Sequence, residues 1–161
     1  MKKNNIERMN LHSDKDDWNT PKHLFKYLDD KYRFTLDPCS THENALCQKH
    51  YTKEENGLVQ DWSNEIVFMN PPYGTETGKW IKKAYEESLK NAVIVCLIPA
   101  RPDTKYWQDI IFPYASEIRF IRGRLHFSDS ENPAGFPSSL VVFDKLNSGN
   151  YAGMTFDYKE E

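Results

Sequence analysis

No apolar stretch in the 161-residue chain approaches the roughly 20 residues a helix needs to cross a bilayer, the longest being Ala92 to Ala100. This excludes a membrane-spanning helix, and no membrane partner is expected. The opening MKKNNIERMN lacks the apolar core of a secretory signal, and Cys39, Cys47 and Cys96 are an odd, sparse set of cysteines. A disulfide framework is thereby excluded, and an intracellular, cytoplasmic protein with reduced thiols is expected. Charge of neither sign dominates. A formal net charge of -3 excludes a globally basic, histone-like binder, so a nucleic-acid partner must be held by a local basic face. Internal repeats and low-complexity tracts are also absent. What remains is an ordinary globular composition, 39% hydrophobic and 14% aromatic against 28% charged, in a length that fits one compact core.

Residues 1–17 are polar and without periodicity, which predicts a flexible amino-terminal arm ahead of a single domain spanning 18–161. Thr20-Pro21 predicts a helix start, with a capping hydroxyl and a proline at the first helical position, and Leu24, Phe25 and Leu28 give that helix one apolar face. A short strand is expected over Arg33–Leu36, a short helix over Thr41–Cys47 and a weak strand near His50-Tyr51. The continuous apolar run from Glu65 to Met69 reads as a buried strand. Trp80, Ile81, Ala84, Tyr85, Ser88 and Leu89 recur at helical spacing. Ala92–Ile98 is the strongest strand, and Asp103 is placed to cap a helix with Tyr106, Trp107, Ile110 and Ile111 inside. Glu117–Phe127 and Ser138–Phe143 read as two late strands joined by SDSENPAGFPSS. The alternation predicts an α/β domain with a largely parallel sheet and a terminal antiparallel hairpin at its edge.

In such sheets ligands bind beyond the carboxyl ends of the strands, where Asp37-Pro38, Asn70-Pro71 and Pro99-Ala100 all fall. The stretch FMNPPYG is the most informative of these. Consecutive prolines fix φ and remove two backbone donors, leaving rigid outward carbonyls. Asn70 adds a side-chain carbonyl beside that of Pro71, so two acceptors can take both hydrogens of a planar NH2 group, while Tyr73 offers a face for stacking. An exocyclic nucleobase amine is a poor nucleophile because its lone pair is delocalised. Accepting its two protons favours a pyramidal nitrogen with a free lone pair.

WNTPKHLF, LDPCS, NALCQKHYT, GLVQDW, NPPYG, KW, IPARPDT and GRLHF occur in this order, and from Trp18 to Phe143 the chain resembles the phage-type, Dam-like DNA N6-adenine methyltransferases. The resemblance implies a Rossmann-like S-adenosylmethionine-dependent fold and methyl transfer from S-adenosylmethionine to adenine N6 in DNA, with S-adenosylhomocysteine as the spent cofactor. It implies Asn70, Pro71, Pro72 and Tyr73 as the catalytic motif. Thr20 and Pro21 match the motif that meets the methionine end of the cofactor, Asp37 the acidic residue closing the first strand, and Asp61 one near the cofactor's adenine. Trp18, Pro38, Cys39 and Asn70 complete the expected cofactor-binding set. One departure is that DPCSTHEN has no glycine, so Cys39 and Ser40 must provide the close backbone approach that glycine gives elsewhere.

An amine inside a duplex is out of reach, so the target base must be flipped out, at a cost of a few kcal/mol. Tyr73 is expected to stack on one side of it and Phe136 on the other. Backbone contacts to DNA are expected from Lys79, Arg101, Lys105, Arg122 and Arg124, with Lys82, Lys83 and Arg119 as further candidates. A chain this short has no room for a separate recognition domain, which leaves sequence reading to loops or to a second copy in a homodimer. Cys39, His42, Cys47 and His50 have ligand-like spacing for zinc, but a helix over 41–47 leaves little slack to close on one ion, and no metal is expected. Two alternatives stay open from the residues themselves: methylation of another planar amine (cytosine N4, an RNA base or a glutamine amide), or a silent DNA-binding decoy.

Overall fold

The structure, a computed structural model, describes residues 18–128, 130–147 and 154–156. The expected arm over 1–17 lies outside the described residues. Helix α1 spans Lys22–Tyr32 and buries Leu24 and Leu28. Its start differs from expectation: Pro21 is the N-cap residue, and no side chain caps the helix. Its end uses Arg33, which turns left-handed at φ 58° and donates its N–H to the Asp29 carbonyl. Residue 33 therefore closes a helix, and the strand expected over Arg33–Leu36 is reduced to β1, Leu36–Asp37.

No helix forms over 41–47. Thr41 and Asn44 close a reciprocal turn, the Thr41 N–H donating to Asn44 Oδ1 at 2.7 Å and the Asn44 N–H to Thr41 Oγ1 at 3.2 Å. Asp37 Oδ2 takes the Leu46 N–H at 3.0 Å, a donor that a helix would have used internally. Strand β2 (Lys49–His50) follows, then a 3-10 turn at Gly57–Val59, strand β3 (Ile66–Met69), helix α2 (Thr77–Ser88) and strand β4 (Val93–Pro99). A π-helical turn over Trp107–Ile111 runs into α3 (Phe112–Tyr114); it too begins without a side-chain cap, so Asp103 does not play the part expected of it. Strand β5 (Glu117–Ile121) stops short of Phe127 because the chain turns at Arg122-Gly123, where Gly123 has φ 75°. Strands β6 (Ser138–Asp144) and β7 (Met154–Phe156) complete the described elements.

The described strands form one seven-stranded sheet in the order β2-β1-β3-β4-β6-β5-β7. Only β6 runs against the rest, pairing antiparallel with both β4 and β5. The expected antiparallel pair of late strands is present, but not as an edge hairpin: β6 is inserted between β4 and β5, and β7 takes the edge. The reason is legible in β6 itself, which is buried from Ser138 through Phe143, the pattern of a strand covered on both faces.

The pleat then sorts two cores. Val67, Met69, Ile94, Cys96, Ile98, Val141 and Phe143 meet α2 and the π turn through Trp80, Ile81, Ala84, Trp107 and Ile111. Phe68, Val95, Leu97, Leu140 and Val142 meet α1 and the segment after β5 through Leu24, Leu28, Leu125, Phe127 and Ala134. Each fully buried side chain of this size contributes about 1.5–3 kcal/mol. This three-layer packing fixes where β1, β3, β4 and β5 deliver their carboxyl ends.

Candidate active site

Strand β3 delivers the chain at Met69, and Asn70-Pro71-Pro72-Tyr73 leaves at the carboxyl edge of the sheet. The Asn70 amide is held on one side only. Its Nδ2 donates to the Trp18 carbonyl at 2.6 Å and to Thr20 Oγ1 at 3.0 Å. A backbone carbonyl can only accept, so the nitrogen must face Trp18, and the orientation of the amide follows from the bonding. The other side, Asn70 Oδ1, is buried without a partner. Thr20 is thus engaged with Asn70, in place of capping α1.

Tyr73 is not an open platform. Its ring is 6% exposed, and its hydroxyl donates to the Leu97 carbonyl at 3.2 Å. Burial holds the phenol well above its usual range, so it stays a donor. Phe136 meets it edge-on at 5.6 Å and Phe127 at 6.3 Å; Trp18 joins them at 5.0 Å from Phe127 and 5.4 Å from Phe136. Tyr73 and Phe136, expected on two sides of a base, are in direct contact with each other. Of the four rings, those of Trp18 and Phe136 are the half-buried ones.

Asp37, at the end of β1, is 4% exposed and turned to its own loop. Oδ1 accepts from the Cys39 N–H at 3.3 Å and Oδ2 from the Leu46 N–H at 3.0 Å. Burial raises its carboxyl above the usual range, opposed by those two N–H groups and by His50. The carboxylate therefore shapes the loop that carries Pro38, Cys39 and Ser40. The buried Ser40 hydroxyl has no partner. Gly57 lies against this loop so closely that a Cβ there would sit 2.3 Å from the Pro38 carbonyl. Asp61 is exposed and accepts from the Ser63 N–H and hydroxyl, which with the charges of Lys90 and Lys83 hold its carboxyl below the usual range. None of those bonds goes to the residues around Asn70.

The zinc-like quartet resolves differently. His42 Nδ1 and His50 Nε2 bond to each other at 2.9 Å, and the Cys47 thiol is pushed up to about 12 by burial, with the Asp37, Asp29 and Glu65 charges adding to it. Among the described residues no three His, Cys, Asp or Glu side chains gather as a metal-binding group.

Lys79 lies in the first turns of α2, Arg101 and Lys105 follow β4, and Arg122 and Arg124 follow β5. All five are exposed, and all follow strands that end at the edge where Asn70 sits. Lys79 also pairs with Glu76 at 3.0 Å. Of the further candidates, Lys83 and Arg119 are tied into the fold by Glu87 and Glu117, whereas Lys82 is exposed and pairs only loosely with Glu86 at 3.8 Å. Glu87 is buried, and although burial raises its carboxyl, bonds from Lys83, Lys90 and the Trp62 N–H leave it below the usual range.

Sequence reasoning missed the strap that ties these loops together. The Ser128 N–H and hydroxyl donate to the carbonyls of Asn19 and Thr20, and Asn44 Nδ2 donates to Asn19 Oδ1 at 2.8 Å. It also missed Ser138, whose buried hydroxyl is unpartnered and which sits opposite Pro99, the last residue of β4. Among the described residues the buried side-chain atoms without partners are Ser40 Oγ, Asn70 Oδ1 and Ser138 Oγ. They follow β1, follow β3 and face the end of β4, so all three share one edge.

Fold and site together define an α/β protein whose carboxyl edge carries a fixed amide acceptor. The sequence matches the family model described as DNA N-6-adenine-methyltransferase (Dam) over residues 8–161. It is 31% identical over 140 residues to a DNA N-6-adenine-methyltransferase of Haemophilus phage HP1 (strain HP1c1), covering 82% of this chain and 80% of the relative. With a DNA N-6-adenine-methyltransferase of Escherichia phage T1 it shares 35% identity over 97 residues, 59% of this chain and 40% of that protein. The chain belongs to the DNA N-6-adenine-methyltransferase (Dam) family. No helix among the described residues is long and apolar enough to cross a membrane.

Proposed function

We propose that this chain methylates the exocyclic N6 amine of adenine in DNA, using S-adenosylmethionine, as a single Rossmann-like methyltransferase domain over residues 18–161. The observation that carries this reading is Asn70: an amide with both hydrogens engaged and its oxygen buried and unpartnered. Leaving such an acceptor unsatisfied costs about 1–3 kcal/mol, and a ligand that donates to it recovers that cost. The amine of adenine is such a donor. Asn70 Oδ1 accepts one of its hydrogens and the Pro71 carbonyl the other, which localises the lone pair on nitrogen. The reacted nitrogen then carries an extra, acidic proton that leaves to water, so no general base is required of the protein.

S-adenosylmethionine supplies an electrophilic methyl on a sulfonium centre. The residues present suit such a group. It is rich in hydroxyl, amino and carboxylate functions, and the Ser40 hydroxyl is a buried polar atom awaiting a partner beside the Pro38-Cys39 turn. Asp37 holds that turn through its two backbone bonds and acts there as a positioning residue. Trp18 and Pro21 flank the same edge, and Asp61 is assigned to the cofactor's adenine end.

For the base to stack on Tyr73, Phe136, whose ring lies 5.6 Å from it and nearly perpendicular, must give way. Phe136 is the half-buried neighbour of Tyr73 in the loop between β5 and β6, and it then takes the second side of the base. Stacking on an aromatic face returns about 1–3 kcal/mol against the cost of extrusion. Lys79, Arg101, Lys105, Arg122 and Arg124 hold the phosphates on either side.

The test is nucleoside analysis by mass spectrometry after incubating the protein with unmethylated duplex DNA and isotopically labelled S-adenosylmethionine. Labelled N6-methyladenine is the expected product. Labelled N4-methylcytosine in its place, or no labelled nucleoside, refutes the assignment.

A further inference from the structure

We propose that Thr20 is a positioning residue for methyl transfer, fixing the Asn70 amide so that its oxygen, and not its nitrogen, faces the target amine. The inference rests on the reading of Asn70 as the acceptor for that amine. A side-chain amide is nearly symmetric in shape and opposite in chemistry at its two ends. Rotated by half a turn, Asn70 would present two hydrogens to an amine that presents two of its own, and nothing would draw the lone pair out of the ring.

Two contacts prevent that rotation. The Trp18 carbonyl, 2.6 Å from Nδ2, sets the sign, because turning the amide would place oxygen against oxygen. Thr20 Oγ1, 3.0 Å from the same nitrogen, accepts its second hydrogen and fixes the plane of the amide. Without that acceptor one Nδ2 hydrogen faces a part-buried site unpaired, and the amide is free to tilt toward other partners.

Thr20 is itself held rigidly. It is 7% exposed, and its β-branched side chain has few rotamers to choose from. Its carbonyl accepts from the Ser128 hydroxyl at 2.9 Å, and the Asn19 carbonyl accepts from the Ser128 N–H at 3.0 Å. Pro21 follows as the N-cap residue of α1 at φ −58°. The hydroxyl caps no helix, so its bond to Asn70 is the local use that the fold makes of it.

The experiment compares Thr20→Val, Thr20→Ala and Thr20→Ser in the full chain, alone and on an Asn70→Ala background, reading kcat with DNA and S-adenosylmethionine saturating, together with cofactor Kd. Thr20→Val and Thr20→Ala each lower kcat by roughly 10- to 100-fold, the scale of a misplaced catalytic group, with S-adenosylmethionine kept well above the Kd measured for each variant. Thr20→Ser restores most of the lost rate because it keeps the acceptor. On the Asn70→Ala background Thr20→Val changes kcat by less than about twofold, since residues acting through one another are not additive. The proposal is overturned if either apolar variant turns over like wild type, or if Thr20→Val costs as much without Asn70 as with it. It is also overturned if both apolar variants are unfolded while Thr20→Ser is as slow as Asn70→Ala. A wild-type chain that methylates no adenine overturns the underlying reading, and this inference with it.

Discussion

Tyr73 shows how a residue's neighbours decide what its type leaves open. Its place in Asn-Pro-Pro-Tyr led to the expectation of a stacking face for a base, and that expectation came from four adjacent letters. The ring's burial comes from Phe127 and Phe136, more than fifty positions away, and its hydroxyl bond comes from Leu97 on β4. No local pattern encodes those contacts. Asn70 is the converse case: the motif marked its oxygen as an acceptor, while the restraint on its nitrogen lies in Trp18 and Thr20, both flagged in the sequence for other reasons. The structure gives Tyr73 two separable duties. Tyr73→Phe keeps the ring and strands the Leu97 carbonyl, so it should lose about 0.5–1.5 kcal/mol of stability in urea unfolding while turnover stays near wild type. Tyr73→Ala opens a cavity and should lose about 3–5 kcal/mol. If Tyr73→Phe abolishes turnover at full stability, the hydroxyl belongs to the chemistry and the ring assignment fails.

Among the elements, β3, β4 and α2 were legible because their signals are intrinsic: a continuous apolar run, or apolar residues at helical spacing. The short pieces were not. β1 and β2 have two residues each and exist only because they pair with each other, and β1 with β3. The stretch 41–47 has helix-forming residues, but Asp37 removes the Leu46 N–H and Asn44 turns back on Thr41, so side chains outcompete the helix. The contact between Gly57 and Pro38 joins two of these illegible pieces, the 3-10 turn and the loop after β1. Gly57→Ala should therefore behave as an overpacking change. With a backbone carbonyl in the way, the loss is about 1–3 kcal/mol, and the loop after β1 must shift. Differential scanning calorimetry should show melting lowered by roughly 2–4 °C per kcal/mol, and S-adenosylhomocysteine titration should show weaker binding. Unchanged melting and unchanged affinity would mean that the two segments yield freely, and that the loop after β1 is not held in shape from this side.

For the whole molecule, an α/β sheet was legible from alternating strands and helices. The insertion of β6 between β4 and β5 was not, because strand order is a matter of long-range pairing. That insertion has a consequence for the site: it brings Ser138, with its unpartnered hydroxyl, beside the end of β4 and makes the β5–β6 loop, with Phe136, a wall of the same edge. The segment 18–20 then ties Asn70, Ser128 and Asn44 into one framework, so residues more than a hundred positions apart set the geometry around one amide.

If Asn70 Oδ1 is the acceptor that turns the adenine amine into a nucleophile, turnover by Asn70→Ala with DNA and S-adenosylmethionine both saturating, paired with calorimetric affinity for S-adenosylhomocysteine, will show it. Turnover should fall on the order of 10²–10³-fold, the cost of losing one preorganised partner of a developing charge, with cofactor affinity within a few fold of wild type. A folded Asn70→Ala protein that keeps more than about half of the wild-type rate, where the loss of such a group should cost a hundredfold, would contradict it.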